Sequence, residues 1–255
     1  MSLIIDSLLR DRYRIKQLIA QSGMGTLYLA RDEVLDVDIA IKENLYTSEN
    51  HSRQFHQEAT ILAKLRHPNL PRVIDHFVIE EMGEYLVMDY IAGQDLQERL
   101  DISDEPLPAD EVVRIGVSVC EALDYMHSRT PPIIHRDIKP ANLKIAPDGQ
   151  VILVDFGLAK LFEQGEMTMV GAQGITAGYS PVEQYGQGTD ACSDIYALGA
   201  TLYTLLTLQT PPEAIERAVG EDNLKPIDQF NGSPSESLQA VINKAMAIKA
   251  EDRYQ

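Results

Sequence analysis

The chain has 255 residues, 44% apolar and 24% charged, enough to bury a substantial core in one large domain or in two closely packed lobes around a shared cleft. Thirty-nine acidic against 22 basic residues give a formal charge of -17, which argues against a general nucleic-acid or anionic-membrane binder, because such partners are repelled at long range. Cys120 and Cys192 lie far apart without metal-ligand spacing, so they are read as two buried structural thiols in a reducing, cytoplasmic compartment.

The N-terminal MSLIIDSLLRDRY meets charge at Asp6 and no run of eighteen apolar residues follows anywhere, so no membrane contact is expected from this segment. YRIKQLIA, TLYLARDE and VDIAIKEN read as strands of an antiparallel meander. In RQFHQEATILAKLR, Phe55, Ala59, Leu62 and Leu65 fall at helical spacing, and Pro68 ends the helix. DHFVIEE and EYLVMDYI are two further strands about a turn at Met82 and Gly83, and IAGQD is the expected hinge. The texture then becomes helical: DLQERL, followed by an amphipathic helix from Ala109 to Ser128 whose apolar face is expected to be Val113, Val117, Cys120, Leu123 and Tyr125. NLKIAP and QVILVDF form a hairpin across the two-residue turn Asp148-Gly149, and helices follow from Asp194 to Leu208 and from Ser235 to Ala250.

Two stretches carry chemistry. IIHRDIKPANL, Ile133 to Leu143, packs His, Arg, Asp, Lys and Asn between an apolar strand-like entry and the hairpin, a mixture that a solvated turn rarely needs. In VILVDFG, Asp155 follows four apolar residues, so its carboxylate emerges at the end of a buried strand, where it needs a partner. A divalent cation is the natural one.

In these motifs the chain resembles the eukaryotic-type protein kinase catalytic domain, in its bacterial serine/threonine subgroup. IAIK (39 to 42) is similar to the strand-lysine motif, with Glu58 at the position of the helix glutamate that pairs with Lys42. HRDIKPAN is similar to the catalytic loop, DFG from Asp155 to the metal-binding motif, and PVEQ from Pro181 to a variant of Ala-Pro-Glu. SDIYALG and EDRYQ resemble the later structural motifs, in which Arg253 pairs with Glu183. The resemblance implies an α+β, bilobal protein kinase-like fold: a small antiparallel-sheet N-lobe with one main helix (about 10–90), a hinge (about 89–95) and a larger, mainly helical C-lobe (about 95–255).

It also implies the residue roles. The cofactors are ATP and Mg2+ or Mn2+, and the protein partners are substrates with Ser/Thr acceptors. Lys42, oriented by Glu58, holds the α and β phosphates; Asn142 and Asp155 hold the metal; Asp137 accepts the substrate hydroxyl proton; and Lys139 stabilises the γ-phosphate. Met88 guards the rear of the adenine pocket, the Asp89 carbonyl and Ile91 amide are hinge contacts, and Ile19, Leu27 and Ala40 form the roof. Asp95 reaches the ribose or is a helix-start acid. Lys144, where the family is usually apolar, either packs or touches the base. Arg136 is placed to meet a phosphorylated activation segment, Thr168 is an autophosphorylation candidate or a plain surface threonine, and Thr176 contacts Asp137 and Lys139.

The phosphate loop IAQSGMGTLYLA departs from the family. Of the three positions that ask for glycine, held here by Ala20, Ser22 and Gly25, only the last complies, with Gly23 an added flexible site. Each misfit costs about 1 kcal/mol if its φ is positive and nothing otherwise, and the Ser22 hydroxyl could itself bond a phosphate. Two readings stand: an active serine/threonine kinase, or a pseudokinase acting as a nucleotide-binding scaffold.

Overall fold

The computed structural model describes residues 3–22, 25–44, 55–56, 59–80, 82–155, 160–161, 175–186, 188–220, 224–230 and 234–255; the side chains of residues 22, 160 and 161 lie outside the description. The chain divides into two compact units, Met1–Ala92 and Gly93–Gln255, and the division falls within IAGQD.

The first unit is a six-stranded antiparallel sheet in the order β1-β2-β3-β4-β6-β5. Its strands are β1 (Leu8–Leu9), β2 (Tyr13–Ser22), β3 (Gly25–Asp32), β4 (Val37–Asn44), β5 (Val73–Ile79) and β6 (Gly83–Asp89). Period-two alternation sends Tyr28, Ile41, Tyr85 and Val87 to one face, where they form a buried core with Tyr13 and Phe77. Residues 55–56 and 59–62 are helical, and turns continue to residue 64. Phe55, Ala59, Leu62 and Leu65 are all buried, as their spacing predicts.

The second unit is mainly helical: α1 (Leu96–Ser103), α2 (Ala109–His127), α3 (Ala191–Thr207), α4 (Ala214–Ala218) and α5 (Glu236–Ala245), with short strands β7 (Ile133–Ile134), β8 (Leu143–Ile145), β9 (Val151–Leu153) and β10 (Lys160–Leu161) that pair antiparallel as β7 with β10 and β8 with β9. Almost all of α3 is buried, as its apolar composition requires. No helix among the described residues is long and apolar enough to cross a membrane.

Two expectations are corrected. The buried face of α2 is Val112, Ile115, Val119, Ala122, Leu123 and Met126, whereas Val113, Val117 and Cys120 are exposed. Apolar residues occur on adjacent stripes of this helix, and packing against α3 selects the one containing Gly116, where an added Cβ would stand 3.3 Å from Leu202. The thiol of Cys120 is therefore not a core group, although Cys192 is buried. The β8–β9 hairpin has a three-residue loop, Pro147 to Gly149: the Ala146 N–H donates to the Gln150 carbonyl, and Gly149 takes φ +87°. Proline fixes the first turn position and glycine supplies the left-handed one, as in a type I turn with a bulge.

Candidate active site

The loop from His135 to Asn142 is held from below by α3. Asp194, in the first turn of that helix and fully buried, accepts the backbone N–H groups of His135 and Arg136, each at 2.8 Å, and lies 2.8 Å from His127 Nε2. Both turns of chain are thereby pinned to one carboxylate. Asp190 caps α3 through the Cys192 N–H and orients its first turn. The geometry assigns Asp194 and His127 a positioning role that the sequence reading missed. The available signal was an acid inside the apolar run that follows an N-cap aspartate.

Four predicted residues converge beyond that support. Asp137 Oδ1 accepts from the Thr176 hydroxyl at 2.8 Å and from Lys139 Nζ at 3.0 Å, while Oδ2 lies 2.8 Å from Lys139 Nζ and 2.9 Å from Asn142 Nδ2. Asn142 Nδ2 also donates to the Asp137 carbonyl at 2.6 Å. A short helical turn, Pro140–Asn142, carries the chain from Lys139 into β8, with Leu143 paired to Leu153. The Val154 N–H donates to the Asn142 carbonyl at 2.9 Å, so the hairpin delivers Asp155 beside Asn142.

Arg136 and Asp155 have φ of +72° and +63°, a left-handed conformation costly for residues with a Cβ. Their surroundings hold both in place: Asp194 and Gln184 bind the Arg136 backbone, and the Val154 N–H bond to the Asn142 carbonyl fixes the residue before Asp155. Arg136 is 6% exposed, and its Nε and Nη1 make no hydrogen bond among the described residues. Burial lowers its pKa against the opposing pull of Asp194. Such a guanidinium calls for an anion.

Residues 175–186 close the other side of Asp137. The Thr176 N–H donates to Ser180 Oγ, and Gln184 Nε2 donates to the Arg136 carbonyl. Arg253, 2% exposed, binds Glu183 through Nη1 at 2.6 Å and Nη2 at 3.1 Å, the expected pairing.

Asp95 is the N-cap of α1. It accepts the Glu98 N–H at 2.8 Å, and its own N–H donates to Glu98 Oε2, a reciprocal capping box. Burial raises its pKa, with the nearby Lys144 charge acting in the opposite direction. Lys144 is half-buried on β8 and forms a backbone bridge with Asp95.

In the first unit, strand register aligns the row Ala20, Leu27, Lys42 and Leu86 beside the row Leu29, Ala40 and Met88, all on the face opposite the Tyr28–Tyr85 core. Ile19 falls at a bulge in β2 and is 39% exposed. The Asp89 carboxylate is engaged by the Arg72 N–H and Nε, leaving its backbone and that of Ile91 as the expected hinge groups. Ala20 and Ser22 are paired within β2, opposite Leu27 and Gly25, so their backbone is extended and glycine is not required there. Gly25 is different: φ is +153°, and a Cβ would collide with the Glu43 carbonyl oxygen. Glu58, Gly23, Thr168 and the Phe and Gly of DFG lie outside the described residues, as does the hydroxyl of Ser22.

A sheet unit presenting a lysine, followed by a helical unit presenting an Asp-Lys-Asn-Thr cluster, is the order of parts that the protein kinase class of catalytic domains requires. The pattern described as "Protein kinase domain" matches residues 13–255, and the chain belongs to that family. It is 35% identical over 261 residues to serine/threonine-protein kinase PknB of Mycobacterium leprae, covering 97% of this chain and 41% of that protein. It is 33% identical to the probable serine/threonine-protein kinase PknB of Lactococcus lactis, covering 98% and 41%. This chain therefore spans about two fifths of the length of these curated relatives. The crystal structure of the Mycobacterium tuberculosis PknI kinase domain superposes with a TM-score of 0.77 at 26% identity, covering 99% of this chain and 94% of that one.

Proposed function

We propose that this chain is a serine/threonine protein kinase catalytic domain that transfers the γ-phosphoryl group of ATP to protein hydroxyls in a cytoplasmic compartment. The observation that carries the reading is the Asp137 carboxylate, bonded at once by Lys139, Asn142 and Thr176. A scaffold has no need of a carboxylate oriented by a lysine, an amide and a hydroxyl.

Asp137 would receive the acceptor hydroxyl and take its proton as the oxygen attacks phosphorus. Lys139, already within 3.0 Å of both carboxylate oxygens, would shift its charge toward the γ-phosphoryl oxygens, and Thr176 would keep both side chains in line. Asn142 spends its Nδ2 on Asp137, so its carbonyl oxygen would be the group left to hold a cation, with the Asp155 carboxylate as the second ligand. One acid and one amide suit a magnesium-like ion that completes its shell with phosphate and water. Such a cation would neutralise phosphate charge. Lys42, on the face shared with Ala20, Leu27, Ala40 and Met88, would hold the α and β phosphates, with Glu58 as its proposed orienting partner. Asp95 and Lys144 would lie at the ribose and base. Arg136 supplies the buried guanidinium for an anionic group of the activation segment, for which Thr168 is the proposed phosphosite.

Incubation with labelled ATP and Mg2+ or Mn2+ tests this. Transfer to the chain itself or to a basic protein is expected, with a loss of about 10²- to 10⁴-fold in Asp137→Asn and a similar loss in Lys42→Ala. Thr168→Ala is expected to incorporate less phosphate. Nucleotide binding without any transfer by the unaltered chain would instead establish the scaffold.

A further inference from the structure

The family pattern begins at residue 13, yet residues 3–12 before it are built into the first unit. Leu3 and Leu9 are 9% and 3% exposed and belong to the core formed with Tyr28, Ile41 and Tyr85. The Asp6 N–H donates to the Ile15 carbonyl at 2.8 Å, the Ile15 N–H returns to Ser7 at 3.0 Å, and β1 pairs with β2. Residues 3–9 thus form a strap across one face of the sheet.

The strap ends in a buried polar relay. The Leu3 N–H donates to the Tyr28 hydroxyl at 3.0 Å, and Tyr28 donates to Glu43 Oε2 at 3.0 Å. Tyr85 donates to Glu43 Oε1 at 3.1 Å. Glu43 and Tyr28 are each 1% exposed and Tyr85 is fully buried, so this carboxylate is satisfied by two phenols beneath the strap rather than by water. Glu43 directly follows Lys42 on β4, and the alternation of the strand sends the two side chains to opposite faces. Whatever holds Glu43 holds the backbone from which Lys42 projects.

We propose that the Leu3–Leu9 strap is a control element for nucleotide binding: docked, it fixes β4 through Tyr28 and Glu43 and so fixes Lys42; released, it wets the relay and loosens β3 and β4. The effect on nucleotide rests on the proposed role of Lys42, whereas the docking itself does not. Coupling of this kind is reciprocal, so nucleotide must also tighten the strap.

The test is hydrogen exchange and nucleotide titration of the 255-residue chain using Mg2+ and a non-hydrolysable ATP analogue. Saturation is expected to slow exchange of the amides of residues 3–9. Leu3→Asp, which drives a charge into the core, and Tyr28→Phe, which keeps the ring but cuts the relay, are expected to weaken analogue binding about tenfold, within the usual range of coupling between sites. Both should also speed exchange in β3 and β4. Ile4→Asp, at a side chain 76% exposed, is expected to leave both readings unchanged. Binding by the unaltered chain with no response in the strap would overturn the coupling alone, without needing any variant to fold. Tyr28→Phe with a freed strap and unchanged affinity would do the same. A chain that binds no nucleotide would overturn the proposed function and the coupling together.

Discussion

Asp194 uses its two oxygens on consecutive backbone N–H groups and on the His127 ring, and an asparagine there can present only one acceptor. Asp194→Asn should therefore leave a buried N–H unsatisfied, at a cost of about 1–3 kcal/mol, and lower kcat more than the KM for ATP, because it displaces the loop that bears Asp137. Urea unfolding combined with steady-state kinetics checks both effects. His135, fully buried beside this contact, has its pKa pushed below 6.5 by burial. The unfolded chain then binds the proton more readily than the folded one, so stability is complete above about pH 6.5 and is lost as pH falls from there toward the lower folded value. His76 is shifted in the same direction, by burial first and by His56 second, and adds to the same limb. Thermal melts between about pH 5 and 8 should show a falling acid limb, flattened in His135→Phe. At this scale the sequence was most legible where chemistry is contiguous: Asp137, Lys139 and Asn142 stand within six positions and meet in space. Asp194 stands out in the sequence only as an acid inside an apolar run, and its pairing was illegible because its backbone partners lie 58 and 59 residues away.

Secondary structure was readable wherever a segment had a single apolar period. β2, β3 and β4 were expected as strands; the alternation is regular along β3, while two bulges interrupt it in β2. β1 escaped notice because two residues carry no period, and the segment is held by Leu3 and Leu9 rather than by its own pattern. In α2 the two apolar stripes made the period ambiguous, and a neighbouring helix decided it. The same dependence on close approach governs α3 and α5. At Gly199 an added Cβ would stand 2.8 Å from Met246 Cγ and 2.9 Å from Ala245 Cβ, so the two helices meet at a position without a side chain. Gly199→Val should overpack this contact and cost about 1–3 kcal/mol, more than the gain in helix propensity can offset. Chemical denaturation is the measurement. An unchanged midpoint would mean that α5 moves aside freely.

Over the whole molecule the excess of acid, a formal charge of -17, bears on association rather than on fold. The negative field opposes the approach of ATP and of acidic peptides and favours basic ones, and it weakens as the Debye length falls from about 30 Å at 0.01 M salt to about 8 Å at 0.15 M. With ATP saturating, kcat/KM for a lysine- and arginine-rich acceptor peptide should fall across that range, and that for an acidic peptide of the same length should rise. The same screening relieves self-repulsion in the compact chain. Exposed pairs such as Arg31 with Asp36 and Arg72 with Asp89 weaken at the same time, but each contributes only about 0–1 kcal/mol. The net charge therefore wins, and the melting temperature should rise by about 2–4 °C for each kcal/mol of repulsion screened. Peptide rates that respond to salt with the same sign for both peptides would show that substrate choice is set by contacts close to Asp137 and not by the field of the whole chain.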